Sequence, residues 1–90
     1  MHSLTVNVLG SRLAAARRLR HISQRKLAAA IGMSGRGSLI SHFEAGRKLP
    51  SLRTLVALAL RLDVSADYLL GATPPIQVPG ETGNTTAGES

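Results

Sequence analysis

The side chains with the greatest capacity for chemistry are cations, and they are concentrated in the first part of the chain. Between Gly10 and Arg53, ten Lys and Arg residues accompany a single acid, Glu44, which gives this stretch a net charge of +9. Such a block repels itself and attracts polyanions. A nucleic-acid-binding role is therefore favoured over a basic surface that only aids solubility. The ten are Arg12, Arg17, Arg18, Arg20, Arg25, Lys26, Arg36, Arg47, Lys48 and Arg53.

Residue spacing argues against catalysis. The three histidines, His2, His21 and His42, lack the spacing of a metal-binding helix motif. Ser41 and His42 are adjacent, so they project from a helix in different directions and do not form a nucleophile–base pair. There is no Cys and no GxxxxGK[ST] phosphate loop. We therefore expect no enzyme activity, no catalytic residue, no metal and no cofactor.

The 90 residues allow one small domain. The longest strongly apolar stretch, Leu55 to Leu60, is far shorter than the roughly 20 residues of a membrane span. The first seven residues do not have the charge and hydropathy pattern of a signal peptide. These features predict no membrane partner and a cytoplasmic, nucleoid-associated location.

Start and stop residues divide the chain into short helices: Ser or Asn precedes four of the five apolar-periodic runs, and Gly follows three of them. The fold class is therefore all-α, a compact bundle of about five short helices. We expect an N-terminal arm at 1–7, a domain at 8–71 and a flexible Pro- and Gly-rich tail at 72–90. The first predicted helix runs from about Val8 to Arg20 with Asn7 as cap, and the second starts after Ser23 and is followed by Gly32. The third holds Leu39, Ile40 and Phe43 and is closed by Gly46, and the fourth runs to about Leu62 with Ser51 as cap. The fifth runs from Ala66 to Leu70, with Ser65 as cap and Gly71 after it.

Periodic apolar residues give the predicted core. The set is Leu9, Leu13, Ile22, Leu27, Ile31, Ile40, Phe43, Leu52, Leu55, Val56, Leu58, Leu62, Val64 and Leu69.

The second and third predicted helices carry the informative pattern: a short helix, a glycine turn, and a second helix with inward Ile40 and Phe43. Here the chain resembles the Cro/phage-repressor (xenobiotic-response-element) type of helix-turn-helix family, from about Leu9 to Gly71. The resemblance implies a lambda-repressor-like DNA-binding domain. Its matching segments are Leu9-Gly10, Arg17, Ser23-Gln24, Leu27-Ala28, Glu44-Ala45-Gly46-Arg47, Pro50-Ser51-Leu52, Leu55, Leu58-Ala59, Leu62, Val64-Ser65 and Leu69-Leu70.

The chain departs from the family pattern between the turn glycine, Gly32, and Glu44. Two extra residues fall in the segment Gly35-Arg36-Gly37. Because glycines weaken a first helical turn by about 1 kcal/mol each, we expect a lengthened turn, with the third helix starting near Gly37 or Ser38. One interpretation places Arg36 on a flexible loop beside DNA, where it reaches a phosphate or a guanine; the other is a neutral loop insertion.

Functional roles follow from the resemblance. It implies base reading by the outer face of the third helix, phosphate binding at the start of the second, and an Arg–Glu pair that joins the first and third helices. Two cations after the third helix resemble phosphate clamps. The predicted DNA-binding residues are Gln24, Arg36, Gly37, Ser38, Ser41, His42, Arg47 and Lys48, and the predicted structural ion pair is Arg17 with Glu44.

The favoured function is a sequence-specific, double-stranded DNA-binding transcription regulator of bacterial or phage type, acting as a dimeric repressor by promoter occlusion. Ala57 and Leu60, at family positions that are usually polar, are the predicted homodimer contact. Two alternatives stay open: an antitoxin that autoregulates its operon and binds a protein partner through the tail, and a helix-turn-helix adaptor without a specific DNA site.

Overall fold

Five helices form the computed structural model, which describes the backbone of residues 2–72 and the side chains of residues 8–72. Within that range the fold is all-α, as predicted, with no strand. The helices are α1 (His2–Leu19), α2 (Gln24–Ala30), α3 (Gly37–Glu44), α4 (Leu52–Leu62) and α5 (Ala66–Leu70).

Serine hydroxyls fix the starts of three helices, as the sequence predicts. Ser23 accepts a hydrogen bond from the backbone N–H of Lys26, Ser51 from that of Thr54, and Ser65 from that of Tyr68. Each bond satisfies an N–H that has no partner inside its helix, and a cap of this kind contributes about 1 kcal/mol. Short-range chemistry therefore sets the starts of α2, α4 and α5.

One buried cluster holds the five helices together and includes residues of each. The predicted third-helix anchors, Ile40 and Phe43, are 0% and 3% exposed. Ile31 and Val64 are partly buried against the cluster. The buried members are Leu9, Leu13, Ala16, Ile22, Leu27, Ala28, Ile40, Phe43, Leu55, Leu58, Ala59, Leu62 and Leu69.

Gly10 permits the close crossing of α1 over the end of α3. A Cβ at Gly10 would lie 2.7 Å from the carbonyl oxygen of Phe43 and nearer still to that of Glu44. Real Cβ atoms do not approach backbone oxygens so closely, so a side chain here would push the helices apart. The glycine therefore allows the short distance between α1 and the end of α3.

Two sequence predictions about the fold are wrong. The first helix begins at His2, six residues before the predicted start, so Asn7 lies inside α1 and does not cap it. Leu52 and Val56, which the periodicity predicts in the core, are 77% and 43% exposed. The helix that carries them, α4, is apolar on several sides, so periodicity did not distinguish its core face from its outer face.

The division into arm, domain and tail stays a prediction. All of the predicted tail except Ala72 lies outside the described residues, and so do its aliphatic residues Ile76 and Val78. Among residues 2–72, no helix combines the length and hydropathy needed to cross a membrane.

Candidate nucleic-acid interface

The third helix, α3, has a buried side and an exposed polar side. Ile40 and Phe43 point into the core, whereas Ser38, Ser41 and His42 are exposed. At 100° per residue, these three polar residues fall within about 100° of arc. The predicted base-reading side chains therefore share one outward face. Gly37, the fourth predicted reader, is half-buried at the first position of the helix.

A nearly buried hydrogen-bond network holds α3 against α1 and α2. The predicted pair is present: Arg17 Nε lies 2.6 Å from Glu44 Oε2, and Arg17 Nη2 lies 3.1 Å from Glu44 Oε1. The side chains of this pair are only 13% and 8% exposed. Arg17 also donates to the carbonyl of Ile22 at 2.9 Å, so the guanidinium bridges the end of α1, the connection to α2, and α3.

Gln24 belongs to the same network, which the sequence did not predict. Its side-chain Nε2 donates to Glu44 Oε1 at 3.0 Å. The phosphate contact of Gln24 stays a prediction; its half-buried side chain directs one N–H inward to Glu44. The residue stands at the first position of α2, where the backbone N–H groups of a helix have no intrahelical acceptor. A phosphate contact by Gln24 can therefore use its backbone N–H.

The lengthened turn between α2 and α3 covers residues 31–36, and α3 starts at Gly37 as predicted. Gly32 and Gly35 both have φ of +83°, a left-handed conformation that favours glycine. The exposed Arg36 is the residue immediately before α3, and it does not lie on an unsupported loop. Its N–H donates to the carbonyl of Met33, and its carbonyl accepts from the N–H of Leu39, both at 3.0 Å.

The end of α3 presents two exposed cations, Arg47 and Lys48. Gly46, with φ of +76°, turns the chain, and the N–H of Arg47 donates to the carbonyl of His42 at 3.0 Å. This is the hydrogen bonding of a glycine-closed helix end. The backbone that carries the two cations is thus anchored to α3.

Exposed polar and basic side chains therefore lie before α3, on its outer face and after its end. Hydrogen bonds to α1 and α2 hold this helix in place. A family model described as Helix-turn-helix matches residues 13–69, more than half of the chain. The chain belongs to the Cro/C1-type helix-turn-helix family. In this helix-turn-helix, α2 is the first helix and α3 the second, and the family is one of DNA-binding transcription regulators. No curated protein and no solved structure matches the chain.

In this helix-turn-helix domain, several basic residues stabilise the fold by contacts between helices. Arg12 donates to the carbonyl of Tyr68 at 2.7 Å and lies over the Tyr68 ring, 5.0 Å from its centroid. Arg20 donates to the carbonyl of Leu62 at 3.0 Å. Arg12 and Arg17 thus join α1 to α5 and α3, and Arg20, directly after α1, binds the end of α4. The charge count alone did not separate these structural arginines from the exposed cations of α2, the turn and the end of α3.

The predicted dimer residues lie on α4. Leu60 is 77% exposed, and Ala57 is half-buried. Leu52 and Val56 precede Leu60 at intervals of four, which places the three on one side of the helix. Among the described residues, no group of three or more His, Cys, Asp or Glu could hold a metal ion.

Proposed function

We propose that this protein is a sequence-specific, double-stranded DNA-binding repressor that acts as a homodimer and blocks promoters by occupying them. The observation that carries the proposal is the polar face of α3, made of Ser38, Ser41 and His42, which is exposed while Ile40 and Phe43 anchor its other side. This face is the one that a helix-turn-helix presents to the major groove.

The dimensions and chemistry of α3 suit that groove. With its side chains an α-helix is about 10–12 Å across, which fits the roughly 12 Å width of the major groove. The eight residues of α3 extend about 12 Å within it. His42 and the two serines supply short donors and acceptors for base edges. Arg36, immediately before the helix, is the residue best able to read a guanine through two hydrogen bonds. Gly37 contributes its backbone N–H; the side where a Cβ would lie is packed against Arg25 of α2.

Phosphate contacts flank the base-reading face in this proposal. Arg47 and Lys48 clamp one strand beyond the end of α3, and the first N–H of α2, on Gln24, binds a phosphate on the other side. Such contacts set the position and register of the protein on the duplex without reading sequence. The binding constant then falls steeply with salt, with a log–log slope of about −0.9 per neutralised phosphate.

The dimer contact is proposed to be the exposed side of α4 against the same surface of a second copy. Leu52, Val56 and Leu60 form its apolar line, with Ala57 beside them. Two copies related by a two-fold axis would place their α3 helices in successive major grooves, about 34 Å apart. The operator is then a palindrome whose half-sites are one helical turn apart.

In this proposal repression is by occupancy, because a protein bound at a promoter excludes other proteins from the same DNA. The predicted location is the bacterial or phage-infected cytoplasm, on the nucleoid, and the proposed activity is binding without catalysis. Double-stranded DNA and a second copy of the chain are the proposed partners.

Selection of bound sequences from a random duplex pool tests this function. The wild-type chain is expected to enrich a palindromic site, and His42→Ala is expected to relax the preference at one position of each half-site. Arg61→Ala, an exposed cation at the far end of α4, serves as the matched surface control and should enrich the wild-type site. Recovery of no common sequence by the wild-type chain would refute sequence-specific binding.

A further inference from the structure

The first position of α3 has no room for a side chain. Gly37 stands there, and a Cβ built on it would lie 3.1 Å from Cγ, 3.2 Å from Cα and 3.3 Å from the backbone nitrogen of Arg25. The last two are backbone atoms of α2, which cannot move aside as the end of a flexible side chain can. A residue larger than glycine would therefore push α3 away from α2.

The absence of this side chain leaves a gap in the base-reading face of α3. Gly37 and Ser41 are four residues apart, so they lie on the same side of the helix, one turn from each other. Ser41 is exposed, but its side chain is short. The family resemblance implies base reading at both positions, and Gly37 has only a backbone N–H to offer. This edge of the face thus has no long side chain of its own.

Arg25 of α2 occupies the place that such a side chain would take. Its Cγ is the atom nearest to the Cβ position of Gly37, and its guanidinium lies further along the same chain. Arg25 is exposed. Among residues 8–72, the ion pairs are made by Arg17 and Arg20, and no group accepts a hydrogen bond from the Arg25 guanidinium. The guanidinium is therefore available to a ligand beside α3.

We propose that Arg25 determines specificity from outside α3: its guanidinium extends past Gly37 and donates two hydrogen bonds to O6 and N7 of a guanine in the major groove. The planar guanidinium matches these two acceptors. A residue of α2 thereby makes the base contact that the first residue of α3 cannot make. Arg36, which precedes α3, then serves a different base pair. The inference rests on the proposed function, because it takes α3 as the helix in the groove.

Replacement of Arg25 by Met tests the assignment, because Met keeps the Cβ and Cγ beside Gly37 and removes the charge and every donor of the side chain. Affinity is measured for a duplex with one selected half-site and for variants with each base pair changed in turn. The wild-type chain should prefer guanine at one position by about ten- to a hundredfold. Arg25→Met should lose that preference and keep the preferences at the other positions.

Lys26→Met is the matched control, since it makes the same charge change at the next residue of α2, which is also exposed. It should weaken binding to all duplexes by a similar factor and alter no base preference. A second readout replaces the preferred guanine by 7-deazaguanine, which lacks the N7 acceptor. This change should weaken binding by the wild-type chain about tenfold and leave binding by Arg25→Met unaltered, because the bond is already absent.

Three results would overturn the inference. If Arg25→Met binds every duplex more weakly by the same factor, with all base preferences kept, Arg25 contacts a phosphate and the proposed function still stands. If the guanine preference is lost in Arg36→Met and kept in Arg25→Met, the reader is Arg36. If the wild-type chain selects no common sequence, the proposed function fails and this inference fails with it.

Discussion

Replacing Glu44 by Ala removes the acceptor shared by Arg17 and Gln24, which donate to it over 2.6 to 3.1 Å. The Arg17 guanidinium, 13% exposed, would remain in place with only the Ile22 carbonyl as its known acceptor. Breaking a buried ion pair from one side costs about 3–5 kcal/mol, and the remaining Ile22 bond favours the lower end. A domain of this size has about 4–10 kcal/mol of stability in total. We therefore expect Glu44→Ala to lose about 3 kcal/mol and at least about 10 °C in melting temperature.

Urea and thermal unfolding followed by circular dichroism measure this loss. The matched control is Asp63→Asn, which removes the acid of the 3.4 Å pair with Arg20, where the Asp63 side chain is 89% exposed. Solvent screening limits that pair to less than about 1 kcal/mol. Arg17→Met combined with Glu44→Leu should recover much of the loss, because no buried charge is left. A Glu44→Ala melt within about 2 °C of wild type would refute the proposal that this network holds α3 in place.

Three further predictions concern packing, assembly and the salt dependence of binding. Gly10→Ala should lower the free energy of unfolding by about 1–3 kcal/mol in urea titrations, because the new Cβ meets the carbonyls of Phe43 and Glu44. Helix propensity alone predicts the opposite, a gain of about 1 kcal/mol. An increase in stability would therefore contradict the observed crossing of α1 and α3. Leu60→Ser should shift sedimentation toward monomer, whereas Leu19→Ser, at the similarly exposed end of α1, should not; equal effects would rule out the proposed dimer face. Arg47→Gln should make the salt slope of duplex binding shallower by about 0.9, and a wild-type slope would show that this cation is not a phosphate clamp.

Local features of the fold were predictable from the sequence. Ser23, Ser51 and Ser65 each accept from the N–H three residues later, a contact that depends only on nearby residue types. Gly32 and Gly46 adopt the left-handed conformation expected after helices. The inward placement of Ile40 and Phe43 followed from their spacing, because a three-residue interval puts both on one side of a helix.

Contacts between segments distant in the chain were harder to predict from the sequence. The Arg17–Glu44 pair came from the family resemblance, whereas the Gln24–Glu44 hydrogen bond, which joins residues twenty apart, was missed. Gly10 is a glycine inside a predicted helix, where Ala would be more stable, and this alone indicates a close contact. The sequence does not indicate that the contact is with the end of α3. In α4, Leu52 and Leu55 are equally hydrophobic, and only the position of the other helices determines that Leu55 is buried.

Chemical-shift mapping of the amide resonances during titration with the selected duplex tests the central claim most directly. If α3 lies in the major groove, the largest changes will fall on Ser38, Ser41 and His42 and on the start of α2. Changes at the exposed end of α4, around Leu60 and Arg61, will then be small for a single half-site. Changes centred on α4 or α5, with α3 unaffected, would contradict the account.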